Sequence, residues 1–192
     1  MAKLQIALCF LLVAYTVRGD GIFGISSEWW ESLSKEWEDL LDLVKNTAIT
    51  NQTCVEQSWD IEELSSSIQL NSSVSCLTEL KTAVESESSS DTALLEIIDE
   101  LIEIFEEGST CASTEDIWAY VECYINTIVN AIKYILSNFT TEVVAAWELL
   151  YSSDDIKSIA GNCTETIIET IAVANFKSAV QETVECLEKW TS

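Results

Sequence analysis

The sequence predicts an all-α protein, a single helical bundle of about five to six helices held together by disulfides. Three observations predict it. The 192 residues contain no proline and five glycines, so strands and tight turns would have few residues to end them. Apolar residues recur at steps of three and four, the period of an amphipathic helix. Hydrophobic residues make up 48% of the chain, which excludes a disordered acidic tail.

Residues 1–19 are typical of a secretory signal peptide. Lys3 supplies the basic start, residues 4–17 are apolar, and the small residues Val17 and Gly19 suit a cleavage site before Asp20. The apolar stretch is shorter than the ~20 residues that a membrane-spanning helix needs. We therefore expect cleavage, no membrane span, and release into an extracellular fluid.

Residues 20–50 predict a Trp-rich amphipathic N-terminal segment packed on or beside the bundle, and residues 51–192 predict a disulfide-bonded helical domain. Ser26 or Ser27 can cap the first helix, with Glu28 in its first turn. The apolar stretch 21–25 with the Trp29–Trp30 pair could insert into a partner or fold back on the bundle. The expected core stripe is Trp30, Leu33, Trp37, Leu40, Leu41 and Val44.

A second helical region covers about residues 55–84, with a break near Asn71. Asp91 then caps a third helix, whose core stripe is Leu94, Ile97, Ile98, Leu101, Ile104 and Phe105. Gly108 follows where a left-handed residue commonly ends a helix.

Three further helices complete the predicted bundle. Ser113 with Asp116 starts the fourth, which runs from Glu115 to about Leu136. The fifth covers 141–151, and a short turn after it ends at Gly161. The last helix covers about 164–189.

Six cysteines remain after the signal peptide, which takes Cys9 with it. An even number in an exported chain predicts three disulfides, and spacing alone leaves their pairing open. The intervals lack the short spacings of zinc or redox motifs. Each bridge would stabilise the fold by roughly 2–4 kcal/mol. The six are Cys54, Cys76, Cys111, Cys123, Cys163 and Cys186.

Four N-glycosylation sequons support export. They begin at Asn51, Asn71, Asn138 and Asn162. We expect glycans at the first three, because Cys163 inside the fourth sequon can be bridged before a glycan is attached.

The charge balance excludes several functions. Without residues 1–19 the chain has seven lysines, no arginine and 33 acidic residues, a net charge of −26. Such a polyanion neither neutralises phosphates nor approaches anionic membranes, so nucleic acid is excluded as a partner. The absence of histidine removes His-based catalysis and zinc binding. We expect no cofactor and no metal.

The predicted third helix also has an acidic face, formed by Glu96, Asp99, Glu100, Glu103, Glu106 and Glu107. Such a face could collect calcium, dock a basic partner, or simply be solvated opposite the core. Calcium sites take about six to eight oxygens from a curved loop, and this helix has no such loop.

The seven tryptophans have two interpretations. They could fill the core, or they could line a cavity for an apolar ligand. All lie on or next to apolar stripes except Trp29. The six are Trp30, Trp37, Trp59, Trp118, Trp147 and Trp190.

No residue pattern predicts an enzyme. No Gly-x-Ser-x-Gly or Ser-x-x-Lys motif activates a serine, and a cysteine nucleophile would lack histidine. Carboxylate pairs are too numerous to indicate a glycosidase.

The cysteine layout resembles that of a known family. In chain order it has Cys54 and Cys76, then Cys111, the segment Val121-Glu122-Cys123-Tyr124, the sequon at 138–140, and finally Cys163 and Cys186. This order is similar to that of the TsetseEP-type domain of secreted insect proteins. The resemblance covers about residues 54–186. It implies an extracellular protein of the gut or body fluid with no established enzymatic activity, and it supplies no site residues. The family commonly has a further cysteine between Cys111 and Cys123, so its bridges are not carried over.

We therefore expect a secreted acidic glycoprotein that acts by non-enzymatic binding to a cationic protein or surface. The alternative is a carrier of an apolar small molecule or lipid in a cavity between helices. A purely nutritive or structural role would leave no mark on the sequence.

Overall fold

The computed structural model describes residues 25–59, 70–86, 92–113, 116–151, 153–171 and 174–191. Within these ranges the chain forms eight α-helices and one 3-10 helix, so the all-α prediction is confirmed and the expected number of helices is too low. The helices are α1 (Ser27–Asn46), α2 (Gln52–Ser58), α3 (Leu70–Ser86), α4 (Thr92–Ser109), the 3-10 helix (Thr110–Ser113), α5 (Ile117–Ser137), α6 (Thr141–Tyr151), α7 (Asp154–Ile171) and α8 (Ala174–Thr191).

Helix α1 begins and packs as the sequence predicts. The Ser26 side chain accepts a hydrogen bond from the Trp29 amide at 3.4 Å, which satisfies one free N–H of the first turn. The predicted stripe is buried except for Leu33, which is partly buried. The signal peptide and residues 20–24 lie outside the described residues.

The described part of the region predicted between residues 55 and 84 forms two helices. Asn51 caps α2 by accepting a hydrogen bond from the Thr53 amide at 3.0 Å. Residues 60–69 lie outside the described ranges. Helix α3 covers Leu70–Ser86, so Asn71, where a break was expected, is helical.

Gly108 corrects the prediction for the end of the third helix. It lies inside α4 and has no left-handed backbone conformation. A Cβ at this position would lie 2.7 Å from Oγ1 of Thr127 on α5 and would also overlap its methyl group. Glycine is needed because α4 and α5 approach closely here. The expected cap, Asp91, lies outside the described residues.

Asp116 caps α5 by accepting a hydrogen bond from the Trp118 amide at 2.9 Å. Ser113 instead ends the 3-10 helix, and Glu115 is not among the described residues. Helix α6 has the predicted bounds.

The expected turn ending at Gly161 is wrong. Helix α7 runs through this glycine. Its buried residues Ile156, Ala160, Cys163 and Ile167 recur every three or four positions, so the helical stripe continues past Gly161. The predicted last helix, 164–189, therefore falls partly in α7 and partly in α8.

Helix α5 holds the centre of the core and contacts both α1 and α4. The Lys133 ammonium on α5 pairs with the Glu38 carboxylate on α1 at 2.8 Å. Helix α3 packs against α4 and α7, while α8 packs against α2 and α1. No helix within the described ranges combines the length and the apolarity needed to cross a bilayer.

Candidate functional site: the acidic face of α4

The acidic face of α4 is exposed along the whole helix. Its carboxylates alternate with the buried residues of the same helix, at helical spacing. All six predicted members are exposed: Glu96, Asp99, Glu100, Glu103, Glu106 and Glu107.

One lysine neutralises part of this face. The Lys81 ammonium on α3 lies 2.6 Å from the Asp99 carboxylate and 3.8 Å from that of Glu85. The hydrogen bond to Asp99 raises the pKa of Lys81 above its ordinary value. Among the described residues, Lys81 is the only cation recorded in an ion pair with this face.

The carboxylates of this face also affect the pKa of a residue on α5. The pKa of Tyr134 is raised, first by burial and then by the nearby charges of Glu100 and Glu96. The two carboxylates therefore act electrostatically on a side chain of the neighbouring helix. A cation approaching α4 would meet carboxylates with a half-buried aromatic ring beside them.

The acidic face continues into an open depression of about 600 Å³ between α4 and α5. Its position at the C-terminal end of α4 adds the partial negative charge of the helix dipole. The lining combines polar side chains with apolar surface and consists of Glu107, Thr110, Ala119, Glu122, Cys123, Asn126, Thr127 and Asn130. Its two carboxylates, Glu107 and Glu122, favour a positively charged group.

The carboxylates of this face do not converge. Across the described part of the chain, no three His, Cys, Asp or Glu residues form a group that could hold a metal ion. Carboxylates spread along a helix can attract a cationic surface, but they do not surround one ion as calcium ligands do.

The core contains most of the tryptophans that were predicted to pack inward. Trp30, Trp37, Trp59, Trp118 and Trp147 are buried. The prediction for Trp190 is wrong: its side chain, in the last turn of α8, is 69% exposed. Trp29, predicted to lie off the stripes, is partly buried against the core.

Four aromatic rings form one cluster in the core. The ring of Phe176 lies 4.9 Å from Trp59, 5.0 Å from Tyr124 and 5.9 Å from Trp37, measured between centroids. Burial raises the pKa of the Tyr124 phenol, which donates a hydrogen bond to the Thr170 carbonyl at 2.7 Å. The rings therefore contact one another instead of enclosing an empty space.

Buried hydroxyl groups were missed in the sequence analysis. Trp59 Nε1 donates to Thr183 Oγ1 at 2.9 Å, and the Ser73 and Thr170 hydroxyls share a hydrogen bond of 2.9 Å. Ser73 lies three residues after the buried Leu70, and Thr183 lies three after the buried Val180. Their positions on apolar stripes were the signal that could have revealed them.

The six cysteines form three disulfides, as predicted. The pairs are Cys54–Cys186, Cys76–Cys163 and Cys111–Cys123. The first joins α2 to α8, the second joins α3 to α7, and the third joins the 3-10 helix to α5. The pairing comes from the fold, because the spacing left it open.

The four sequons occupy different environments. Asn51 and Asn138 lie at helix ends, whereas Asn71 and Asn162 lie within helices. The sequon hydroxyls that follow these last two, on Ser73 and Thr164, are buried atoms. Surface loops are the usual sites of glycosylation, so Asn51 and Asn138 are the better placed acceptors in the folded chain.

The fold and surface define an all-α, disulfide-linked class of protein with a strongly acidic helix face. Comparison with protein-family models, with curated proteins and with solved structures finds no match to this chain.

Proposed function

We propose that this protein is exported and acts as a non-enzymatic binding protein for a cationic protein or surface, in an extracellular fluid or gut lumen. One observation carries the proposal: six carboxylates share an exposed helix face on which a single lysine is paired. The acidic face of α4 would be the contact surface.

The acidic face would attract its cationic partner through electrostatic interactions. A protein with seven lysines and 33 acidic residues, once residues 1–19 are removed, attracts basic partners from a distance. The attraction extends over a Debye length of about 8 Å at physiological ionic strength. Complementary charge mainly raises the association rate and selects the partner.

Two kinds of observation support export. The first is the predicted signal peptide with its following sequons. The second is the set of three disulfides, since such bonds persist mainly in oxidising compartments. The resemblance to TsetseEP-type secreted proteins is consistent with the same location and stays a prediction.

The alternative function, a carrier of an apolar molecule, has less support. It requires a cavity lined by the tryptophans. Instead, the rings of Trp37, Trp59, Tyr124 and Phe176 pack against one another in the core.

A charge-matched pair of variants tests the acidic face. The face variant carries Glu→Gln at 100, 103, 106 and 107, and the control carries Glu→Gln at 31, 36, 165 and 182, all exposed positions on α1, α7 and α8. Fluorescence anisotropy would measure the Kd of a labelled decalysine peptide. We expect the face variant to weaken binding about tenfold, which corresponds to about 1.4 kcal/mol, and the control to weaken it much less.

Two outcomes would contradict the proposal. Equal weakening by both variants would show that net charge, not this face, determines binding. Binding that persists undiminished in molar NaCl would show that it is not electrostatic.

A further inference from the structure

Two exposed apolar side chains lie at one end of the α2–α8 pair. Trp190 is 69% exposed and Ile49 is 38% exposed. The other tryptophans with a described environment are buried or partly buried. Covering an exposed indole with the apolar face of another group would remove apolar surface from water.

Helices α2 and α8 run antiparallel. The Cys54–Cys186 disulfide joins them with a Cα–Cα distance of 5.6 Å. Further along, Trp59 Nε1 donates to Thr183 Oγ1 at 2.9 Å. Because the two helices run in opposite directions, the residues that follow Cys186 lie beside those that precede Cys54.

Trp190 therefore lies next to the Asn51 sequon. It is four residues after Cys186, on the same face of α8 and ~6 Å further along the axis. An equal step back from Cys54 leads to residues 49–51. The exposed indole and the glycosylation acceptor thus each lie about one helical turn from the Cys54–Cys186 bridge, on the same side of it, and Ile49 is two residues before the acceptor in the chain.

The cap hydrogen bond at Asn51 uses its side-chain oxygen and not its nitrogen. Its Oδ1 accepts the hydrogen bond from the Thr53 amide that caps α2. This bond leaves the amide nitrogen, the atom that carries an N-linked glycan, to point elsewhere. At Asn138, by contrast, the same nitrogen donates to the Tyr134 carbonyl at 2.9 Å and to the Ser137 hydroxyl at 3.2 Å.

We propose that an N-linked glycan on Asn51 packs against Trp190 and Ile49. Sugar rings have apolar C–H faces that can cover an aromatic ring, while their hydroxyls stay in water. The first N-acetylglucosamine is within reach of a residue one helical turn away. This inference rests on the export proposed above, because glycosylation requires passage through the secretory pathway.

A sequon variant that preserves the helix cap tests the contact. Thr53→Ala removes the glycan from Asn51 but keeps the Asn51 side chain as the N-cap. Proteins secreted from insect cells would be compared by acrylamide quenching of tryptophan fluorescence, with sequon occupancy measured by mass spectrometry. We expect the quenching constant to rise about twofold in Thr53→Ala. In a Trp190→Phe background we expect Thr53→Ala to leave the quenching constant unchanged.

Asn138→Gln is the matched control. It removes the other well-placed sequon, at the C-terminal end of α5, and should not alter quenching. The inference would be overturned by equal quenching with and without an occupied Asn51, or by a secreted protein in which Asn51 is unmodified. Failure of the chain to be secreted would overturn both the export and this inference. Decalysine binding by protein that lacks glycans would still test the acidic face separately.

Discussion

At the scale of single residues, the contact between Gly108 and Thr127 sets the distance between α4 and α5. A Cβ on residue 108 would overlap the Thr127 side chain. Overpacking of this kind costs about 1–3 kcal/mol, which exceeds the ~1 kcal/mol that alanine gains over glycine inside a helix.

We therefore predict that Gly108→Ala lowers the free energy of unfolding by about 1–2 kcal/mol. Urea denaturation followed by circular dichroism would measure it. Thr127→Ala provides the partner for a double-mutant cycle, because it removes both atoms that come too close. In that background Gly108→Ala should be neutral or stabilising. A similar loss in both backgrounds would show that the Thr127 contact is not the cause.

Residue types on a periodic stripe predict burial well only in the middle of a helix. Trp30 and Trp37 are buried as predicted, because they lie within a helix that packs along α5. Trp190 has the same periodicity but lies in the last turn of α8, beyond the region that neighbours can cover. The sequence shows the stripe, whereas the length of the neighbouring helix decides where burial ends.

At the scale of helices, the three disulfides constrain very different lengths of chain. Cys54–Cys186 joins residues 132 positions apart, and Cys111–Cys123 joins residues 12 apart. In the chain-entropy account, the longer bridge removes more freedom from the unfolded state: about 5 kcal/mol against about 3 kcal/mol if each were the sole cross-link, and about 4 against about 3 with Cys76–Cys163 also in place.

We predict that Cys54→Ala with Cys186→Ala destabilises the protein by about 1 kcal/mol more than Cys111→Ala with Cys123→Ala, because the intact Cys76–Cys163 bridge shortens the loop that Cys54–Cys186 closes. Chemical denaturation of both double variants, with the remaining bridges intact, would measure the difference. An equal or larger loss from the short bridge would show that native packing around Cys111 outweighs chain entropy.

The bounds of the helices were predictable where capping residues are distinctive. Ser26 and Asp116 accept the expected hydrogen bonds. Gly161 misled the prediction because glycine suits both a turn and a helix interior. The pairing of the cysteines was not predictable, since it depends on contacts between helices that are far apart in the chain.

At the scale of the whole molecule, stability depends on the density of negative charge. Without the predicted signal peptide the chain combines seven lysines with 33 acidic residues, and the described residues contain three recorded salt bridges. Repulsion among the remaining carboxylates opposes folding, and salt screens it.

We predict that raising NaCl from 10 mM to 500 mM increases the Tm by several degrees, a stabilisation of about 1–2 kcal/mol. Thermal unfolding followed at 222 nm would measure it. The charge-reduced face variant should show a smaller increase, because it has less repulsion to screen. A Tm that does not respond to salt would contradict this account.

The sequence predicted the charge and the carboxylates of the acidic face, because both follow from composition and helical period. It did not predict the depression beside Glu107 and Glu122, which α4 and α5 form together. Nor did it place Tyr134 beside Glu96 and Glu100, since that arrangement depends on how two helices pack.

The bridge between Cys54 and Cys186 closes most of the chain into a covalent ring. A protease that cuts one peptide bond between these residues opens the ring but releases no fragment, because both pieces stay linked through sulfur. A digestive or inflammatory fluid could therefore nick the molecule without dispersing it. The nested Cys76–Cys163 bridge adds a second link, so many doubly cut molecules would also stay in one piece.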